Sequence, residues 1–180
     1  MVKRNIIILL PPPVAKRAIA WSNLISNKYK TDFVLDGKQF HPHVTLYQGE
    51  YPDENMPILE EKLAHIVQSA APFCIRAKAF SSFEEFLFVE IEKDDELVSF
   101  QKTIFIAAMT LGKSLSPVAG ATFLPHVTIT RLQQPNRAEE VLSLLGATDI
   151  AFEAHALSLA NIGPDGTVNE VYREFPFQMV

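Results

Sequence analysis

Residues 39–46, QFHPHVTL, are repeated 83 positions later as residues 122–129, TFLPHVTI. Phenylalanine, proline, histidine, valine and threonine are identical in the two copies and stand in the same register. Each copy is followed by a helical pattern and then by a strand pattern, so the order of elements repeats as well. Repetition at a fixed offset is the signature of a duplicated structural unit. We therefore predict two lobes of about 80–90 residues each, packed about a pseudo-twofold axis with the two motif copies facing each other.

The spacing of apolar residues predicts helices and strands that alternate without strict regularity. Asn55 is a plausible cap for the second helix, and Asn136 with Glu139 has the spacing of a capping box at the start of the fourth. No Pro-, Gly- or Ser-rich linker divides the chain, so we predict a single α+β domain over residues 1–180. The predicted helices are 13–29, 56–71, 95–110 and 136–146. The predicted strands are 33–36, 39–48, 72–80, 85–92, 122–131, 150–160 and 168–177.

Composition narrows the class of protein. The chain has 180 residues, of which 48% are hydrophobic, and a net charge of −5, so it can bury one core but presents no basic field for long nucleic acid or double-stranded DNA. The N-terminal apolar run, Ile6 to Leu10, is too short for a signal peptide and ends in three prolines. Cys74 is the only cysteine and is expected to be a buried, inert thiol. We expect a cytoplasmic monomer that does not bind membranes.

The repeated motif has a clear chemical use. Side chains alternate between the two faces of a strand, so His43 and Thr45 share one face, and His126 and Thr128 share the equivalent face. If the two strands face each other across a cleft, one imidazole can accept a proton from an attacking oxygen while the other donates to a leaving oxygen. Threonine hydroxyls can bind the phosphate oxygens on which charge develops. A single His-x-Thr is usually an ordinary structural pair, but a duplicated core has no need to repeat a polar pair.

These two His-x-Thr-x motifs resemble those of the 2H phosphoesterase superfamily, especially the bacterial RNA 2′,3′-cyclic phosphodiesterases, also called 2′-5′ RNA ligases. The resemblance implies a duplicated bilobal α+β fold, with antiparallel sheets around a central cleft and helices outside. It also implies hydrolysis of cyclic or 2′-5′ phosphodiesters without a metal or cofactor. In the family the first-motif histidine is usually assigned as proton donor and the second as acceptor, which implies these roles for His43 and His126. A basic residue shortly after the second motif often contacts phosphate, and Arg131 occupies that place.

Further candidates surround the motifs. Simple alternation places Tyr47 and Thr130 on the cleft face and Arg131 on the opposite face, so Arg131 requires a bulge or the strand end to turn it toward substrate. His41 lies two residues before His43 and is expected to flank the cleft, where it tunes the pKa of His43 or contacts substrate. The His-x-His spacing also allows an interpretation as a metal site, but no acidic residue adjoins either motif.

The resulting hypothesis is a phosphodiesterase that converts the 2′,3′-cyclic phosphate of a small nucleotide or an RNA 3′ end to a 2′-phosphate. Reversible 2′-5′ RNA ligation is a related activity. Within the same fold, 2′-5′ oligoadenylates or ADP-ribose 1″,2″-cyclic phosphate are alternative substrates. A non-catalytic module that binds a nucleotide or an RNA end is the alternative from a different class.

Overall fold

The computed structural model of the protein describes residues 1–116 and 119–178. It has the predicted α+β composition. Its helices are α1 Pro12–Ser26, α2 Met56–Gln68, α3 Asp95–Met109 and α4 Ala138–Leu145. Its strands are β1 Val2–Leu9, β2 His43–Tyr51, β3 Phe73–Phe83, β4 Phe86–Ile91, β5 Lys113–Ser114, β6 His126–Arg131, β7 Ala151–Ala154, β8 Ala156–Asn161 and β9 Val171–Pro176. No helix in this part of the chain is both long and apolar enough to cross a membrane.

The strands form two antiparallel sheets, one for each lobe. The first has the order β5-β2-β1-β8-β9 and the second has the order β6-β4-β3-β7. Strand β2 begins at His43 and strand β6 begins at His126, so the two motif copies lie in different sheets. In each sheet the motif strand pairs with a strand that precedes it in the chain, β1 in one case and β4 in the other.

The duplication is visible in how the chain crosses between lobes. The strand that follows the helix after the first motif, β3, pairs with β4 in the second sheet. The helix after the second motif is followed by β7, which pairs with β3 in the second sheet, and then by β8, which pairs with β1 in the first sheet. Each lobe therefore contains strands from both halves of the sequence. This exchange ties the two lobes together and brings the starts of β2 and β6 to one cleft.

One core cluster spans both sheets and all four helices. The motif residues that face away from the cleft belong to it: Val44 and Val127 are fully buried. Helix α3 begins where the side chain of Asp94 accepts a hydrogen bond from the Leu97 N–H at 2.7 Å. Burial of side chains such as Leu97 removes apolar surface from water and holds the helices against the sheets.

Several predicted elements differ from the structure. Residues 33–36 are not a strand. A side chain takes the hydrogen bond that a neighbouring strand would make, since Ser22 Oγ accepts from the Leu35 N–H at 3.0 Å. The strand predicted from residue 39 begins only at His43, since the Asp36 carboxylate caps a turn by accepting the N–H groups that follow it. The strand predicted over 150–160 is broken at His155 into two strands that belong to different sheets.

The predicted helix caps also differ. Asn55 precedes α2 but makes no capping bond, because its side-chain amide donates instead to the Leu111 carbonyl at 2.7 Å. The fourth helix begins at Ala138, after a single 3-10 turn over Pro135–Arg137, so Asn136 lies outside it and forms no capping box with Glu139. The short strand β5 was not predicted, since two residues carry no periodicity.

Candidate active site

A cleft of about 1030 Å³ lies between the two sheets and holds both motifs. His43 and Thr45 line it from β2, and His126 and Thr128 line it from β6. The other residues that line it come from both sheets and from the connections that follow β4, β5 and β8: Gln48, Lys78, Phe83, Phe86, Phe88, Glu90, Ile91, Glu92, Lys93, Ser116, Leu124, Pro125, Asp165 and Gly166. The structure thus brings together the four motif side chains that sequence reasoning selected.

The two imidazoles are held in the same way. His43 Nδ1 lies 2.7 Å from the carbonyl oxygen of His41, and His126 Nδ1 lies 2.8 Å from that of Leu124. A carbonyl only accepts, so each Nδ1 is the donor and each neutral ring leaves Nε2 as a proton acceptor. A proline separates each carbonyl from its histidine and favours an extended conformation for the residue before it. The motif therefore encodes the orientation of its own imidazole.

A β-bulge follows each motif. Ile7 pairs with Thr45 while Ile6 pairs with Tyr47, so Leu46 is the extra residue in β2. Beyond Leu46, the residues that would have faced the cleft face the core, and those that would have faced the core face the cleft. Tyr47, which we predicted on the cleft face, is 2% exposed and packs edge-on against Phe105 in the core.

Gln48 takes the place on the cleft face that Tyr47 was expected to occupy. No residue in this part of the sequence indicates the β-bulge that turns Gln48 toward the cleft.

The second motif has the same bulge at the equivalent position. Phe88 pairs with Thr128 and Leu87 with Thr130, so Ile129 is the extra residue in β6. Thr130 consequently lies in the core, where its hydroxyl donates to the Phe33 carbonyl at 2.6 Å. The bulge that Arg131 required is therefore present.

Arg131 is held by carboxylates rather than left open to the cleft. Its Nη1 donates to Asp165 Oδ1 at 2.9 Å, and its Nε lies 3.4 Å from Asp32 Oδ2. Its guanidinium also lies over the Phe86 ring, 5.5 Å from the centroid. Arg131 is not among the residues that line the cleft, whereas Asp165 is. A contact between Arg131 and the substrate phosphate stays a prediction. To make it, the guanidinium would have to release one of its two carboxylate partners.

His41 lies next to His43 but outside β2. It lines a cavity of about 20 Å³ beside the main cleft, together with His43, Thr128 and Asp165. Its backbone carbonyl is the group that binds His43 Nδ1. Among residues 1–116 and 119–178, no group of three or more His, Cys, Asp or Glu side chains is placed to hold a metal ion.

One wall of the cleft is aromatic. Phe83, Phe86 and Phe88 line it from the β3–β4 hairpin, and the Phe88 ring lies 5.1 Å from that of His126. These residues were not predicted from the sequence, although β4 carried a signal. Its alternation places Phe86 and Phe88 on the face opposite the buried Leu87 and Val89, where a half-exposed strand normally carries polar residues.

Charged residues stand at the same wall. Glu90 pairs across the sheet with His126, and Lys78 Nζ lies 3.1 Å from Glu90 Oε2. This ion pair lowers the pKa of the Glu90 carboxyl. The side of the cleft next to His126 therefore carries a permanent carboxylate whose charge is offset by a lysine.

Burial distinguishes the two histidines. Desolvation of the His43 imidazole lowers its pKa from 6.5 to about 4. The neighbouring His126 and His41 lower it further, while the hydrogen bond to the His41 carbonyl opposes the shift. In the free protein at neutral pH, His43 is therefore uncharged.

This shift predicts a pH dependence of stability. Between pH 6.5 and pH 4 the unfolded chain binds a proton at His43 more readily than the folded protein does. The free energy of unfolding is therefore highest above about pH 6.5 and falls as the pH is lowered toward 4. The upper limit for one group is roughly 1.4 kcal/mol for each pH unit. Because His43 is partly exposed, we expect less than this limit: the free energy of unfolding should fall by about 1–2 kcal/mol between about pH 6.5 and about pH 4.5. Urea unfolding at both pH values measures it.

The variant His43→Gln should lack this part of the pH dependence. His155→Gln is the matched control, because the His155 side chain is 60% exposed and lies on the protein surface. An equal pH dependence in wild type and His43→Gln would contradict a lowered pKa at His43.

The comparisons with known proteins agree with this geometry. The family model of the 2′-5′ RNA ligase superfamily matches residues 11–166. The chain belongs to the 2′-5′ RNA ligase superfamily. This confirms the resemblance to the 2H phosphoesterases that the two motifs indicated. No curated protein matches the sequence.

Solved structures share the fold of this superfamily member. TT0787 of Thermus thermophilus is 17% identical, with a TM-score of 0.71 and coverage of 98% of each chain. E. coli LigT complexed with phosphate is 14% identical, with a TM-score of 0.65 and coverage of 99% of this chain and 98% of LigT. Usb1 of Kluyveromyces marxianus is 10% identical, with a TM-score of 0.56 and coverage of 97% of this chain and 98% of Usb1.

Proposed function

We propose that this protein hydrolyses the 2′,3′-cyclic phosphate of a small nucleotide or an RNA 3′ end to a 2′-phosphate, as a cytoplasmic monomer that needs no metal or cofactor. The observation that carries the proposal is the matched pair of imidazoles in one cleft. Each presents Nε2 while a backbone carbonyl binds Nδ1. A module that only bound phosphate would not need two titratable groups held identically.

The proposed reaction uses one histidine at each side of the phosphorus. Water attacks phosphorus as one neutral imidazole takes its proton, and a new P–O bond forms. The bond from phosphorus to the 3′ oxygen breaks, and that oxygen takes a proton from the other imidazole, which is protonated. Thr45 and Thr128 donate hydrogen bonds to the non-bridging oxygens, where negative charge increases in the transition state.

The protonation state of His43 supports one assignment of the proton acceptor and the proton donor. An imidazole with a pKa of about 4 is neutral at pH 7, which is the form that accepts a proton. We therefore propose that His43 is the acceptor and His126 the donor in hydrolysis. These roles are the reverse of those that the family resemblance implies. In 2′-5′ ligation a 5′ hydroxyl replaces water as the nucleophile, and the two histidines keep the same roles. The near symmetry of the site lets the roles exchange in the reverse of ligation, in which the 3′ hydroxyl attacks a 2′-5′ linkage and the 5′ oxygen leaves.

The walls of the cleft favour a nucleotide over a large RNA. Stacking of a base on an aromatic side chain contributes about 1–3 kcal/mol and tolerates any base, and Phe86 and Phe88 provide such surfaces beside His126. E. coli LigT has been crystallised with phosphate, ATP, NADP⁺ and 3′-AMP, all of which carry phosphate. The net charge of −5 disfavours a long polyanion. A short substrate fits both features.

A substrate screen in EDTA tests the proposal. Nucleoside 2′,3′-cyclic phosphates, 2′-5′ oligonucleotides and ADP-ribose 1″,2″-cyclic phosphate are incubated with the protein, and ³¹P NMR reads the position of phosphate in the product. We expect turnover of the cyclic nucleotides to 2′-phosphates. The double variant His43→Gln/His126→Gln is the control for contaminating activity.

The other outcomes separate the alternatives. Preferred turnover of the oligonucleotides or of the ADP-ribose derivative assigns that substrate instead. Binding of a cyclic nucleotide without turnover over hours supports the non-catalytic module and contradicts the proposal.

A further inference from the structure

Asn5 is a polar side chain in an apolar place. It lies on β1 and is 0% exposed. Its neighbour on the same face, Ile7, is also fully buried and packs with Ala160 and Val168, a loop residue that covers this part of the sheet. A buried amide costs free energy unless its hydrogen-bonding groups find partners. The hydrogen-bond partners of the Asn5 amide are therefore the first place to look for a reason for its burial.

The amide contacts one of the motif hydroxyls. Asn5 Nδ2 donates to Thr45 Oγ1 at 3.4 Å, which is a long hydrogen bond. The Thr45 hydroxyl has one hydrogen and two acceptor sites. By occupying an acceptor site, Asn5 leaves the hydroxyl hydrogen of Thr45 for a group in the cleft. A phosphate oxygen can use only that hydrogen, because it is an acceptor.

The second motif lacks an equivalent partner. Thr45 pairs with Ile7, and Asn5 stands two residues before Ile7. Thr128 pairs with Phe88, and Phe86 stands two residues before Phe88. Asn5 and Phe86 thus occupy corresponding places in the two lobes, and a phenyl ring has no hydrogen to donate to a threonine oxygen. The arrangement is specific to the first lobe.

We propose that Asn5 is a positioning residue that turns the Thr45 hydroxyl toward the substrate phosphate. The proposal rests on the proposed function, since it assumes that Thr45 binds phosphate. Asn5 itself does not line the cleft. It acts through Thr45.

The other end of the amide adds an independent observation. Asn5 Oδ1 is buried and has no hydrogen-bond partner. An apolar residue of similar size would avoid the cost of this unpartnered oxygen, so the Asn5 amide costs stability rather than adding it. Sites that sacrifice stability for function are common in enzymes. We therefore expect Asn5→Leu to unfold at or above the wild-type Tm while it loses activity.

A double-mutant cycle tests the coupling. In the otherwise wild-type chain, Asn5→Leu should lower kcat for a nucleoside 2′,3′-cyclic phosphate about three- to tenfold, the range expected for one hydrogen bond. In a Thr45→Val background it should have almost no further effect. In a Thr128→Val background it should keep its full effect. Equal losses in all three backgrounds, or a Tm well below wild type that accounts for the loss, would overturn the proposal.

Ser158→Ala is the matched control. Ser158 lies opposite Ile7 on β8, is 1% exposed and has a buried hydroxyl without a partner, as Asn5 Oδ1 does. It makes no hydrogen bond to Thr45, so kcat should not change. If Asn5→Leu does not fold, Asn5→Ala replaces it in the same cycle, because alanine removes the donor without adding volume.

Binding of inorganic phosphate separates this inference from the proposed function. Inorganic phosphate near pH 7 carries more negative charge than a phosphodiester, so its binding depends on the Thr45 hydroxyl more than substrate binding does. By calorimetry, Asn5→Leu should weaken phosphate binding about three- to tenfold, and this loss should disappear in the Thr45→Val background. A wild type that binds phosphate in this way but turns over no cyclic nucleotide contradicts the proposed function alone. A wild type that turns over the substrate, but in which Asn5→Leu changes neither phosphate binding nor kcat, contradicts the role of Asn5 alone.

Discussion

Replacement of His126 by glutamine is expected to lower the rate of 2′,3′-cyclic nucleotide hydrolysis by about 10²- to 10⁴-fold. The His126 imidazole lines the cleft, and its Nδ1 is bound by the Leu124 carbonyl, so Nε2 is the group that meets substrate. Glutamine keeps a polar side chain but cannot transfer a proton near neutral pH. Replacement of His43 should cause a loss in the same range. Steady-state kinetics at pH 7 in EDTA measures both.

A change of leaving group distinguishes the roles of the two histidines. In a nucleoside 2′,3′-cyclic phosphorothiolate with sulfur in place of the 3′ oxygen, the leaving thiolate is a weak base and needs no proton donor. His126→Gln should therefore lose less than about tenfold on this substrate, whereas His43→Gln should lose as much as on the natural cyclic phosphate. The reverse pattern would assign His43 as the donor, as the family resemblance implies. Full activity of both variants on the natural substrate would refute two-histidine catalysis.

The next largest effect is expected from the threonines. Thr128→Val should lower kcat by about 10²- to 10³-fold, the usual cost of one donor to a charge that develops in the transition state. Valine has nearly the same shape, so packing around Thr128 at the start of β6 is preserved. We expect KM to change much less than kcat, because the hydroxyl matters most when charge on phosphate is greatest. Thr45→Val should show the same pattern.

Thr130→Val is the matched control for this prediction. Thr130 lies two residues further along the same strand, but the bulge at Ile129 turns it into the core, where it donates to the Phe33 carbonyl. Its replacement should lower the free energy of unfolding by about 1–3 kcal/mol and leave kcat unchanged. A comparable loss of kcat in Thr130→Val, or an unaltered kcat in Thr128→Val, would contradict the assignment of Thr128 to the phosphate.

Much of the candidate active site follows from local sequence rules. The identical spacing of histidine and threonine places both on one face of a strand whatever the rest of the fold does, and His43 with Thr45 and His126 with Thr128 lie there. The proline before each histidine likewise acts on its nearest neighbours, and the contacts of Nδ1 are the same in both copies. Helices were predicted to within a few residues for the same reason, because their period depends on local hydrogen bonds.

Other site residues depend on pairing between distant parts of the chain. Tyr47 was expected at the cleft and lies in the core, because the bulge at Leu46 arises from the register of β2 against β1, about 40 residues earlier. The same kind of register turns Arg131 back toward the cleft side, where Asp165 and Asp32 bind it. Neither carboxylate is near Arg131 in sequence. Alternation alone cannot locate such residues.

The sequence by itself therefore determined the candidate catalytic groups of this protein: a duplicated motif that delivers two imidazoles and two hydroxyls, with each imidazole oriented by its immediate neighbours. Only the tertiary structure decided how the two halves of the site differ. Burial lowers the pKa of His43 to about 4, Asn5 contacts Thr45, and Phe86 and Phe88 form a wall beside His126. These differences arise because each motif strand pairs with a different neighbour, β1 or β4, and pairing between strands is a property of the folded chain.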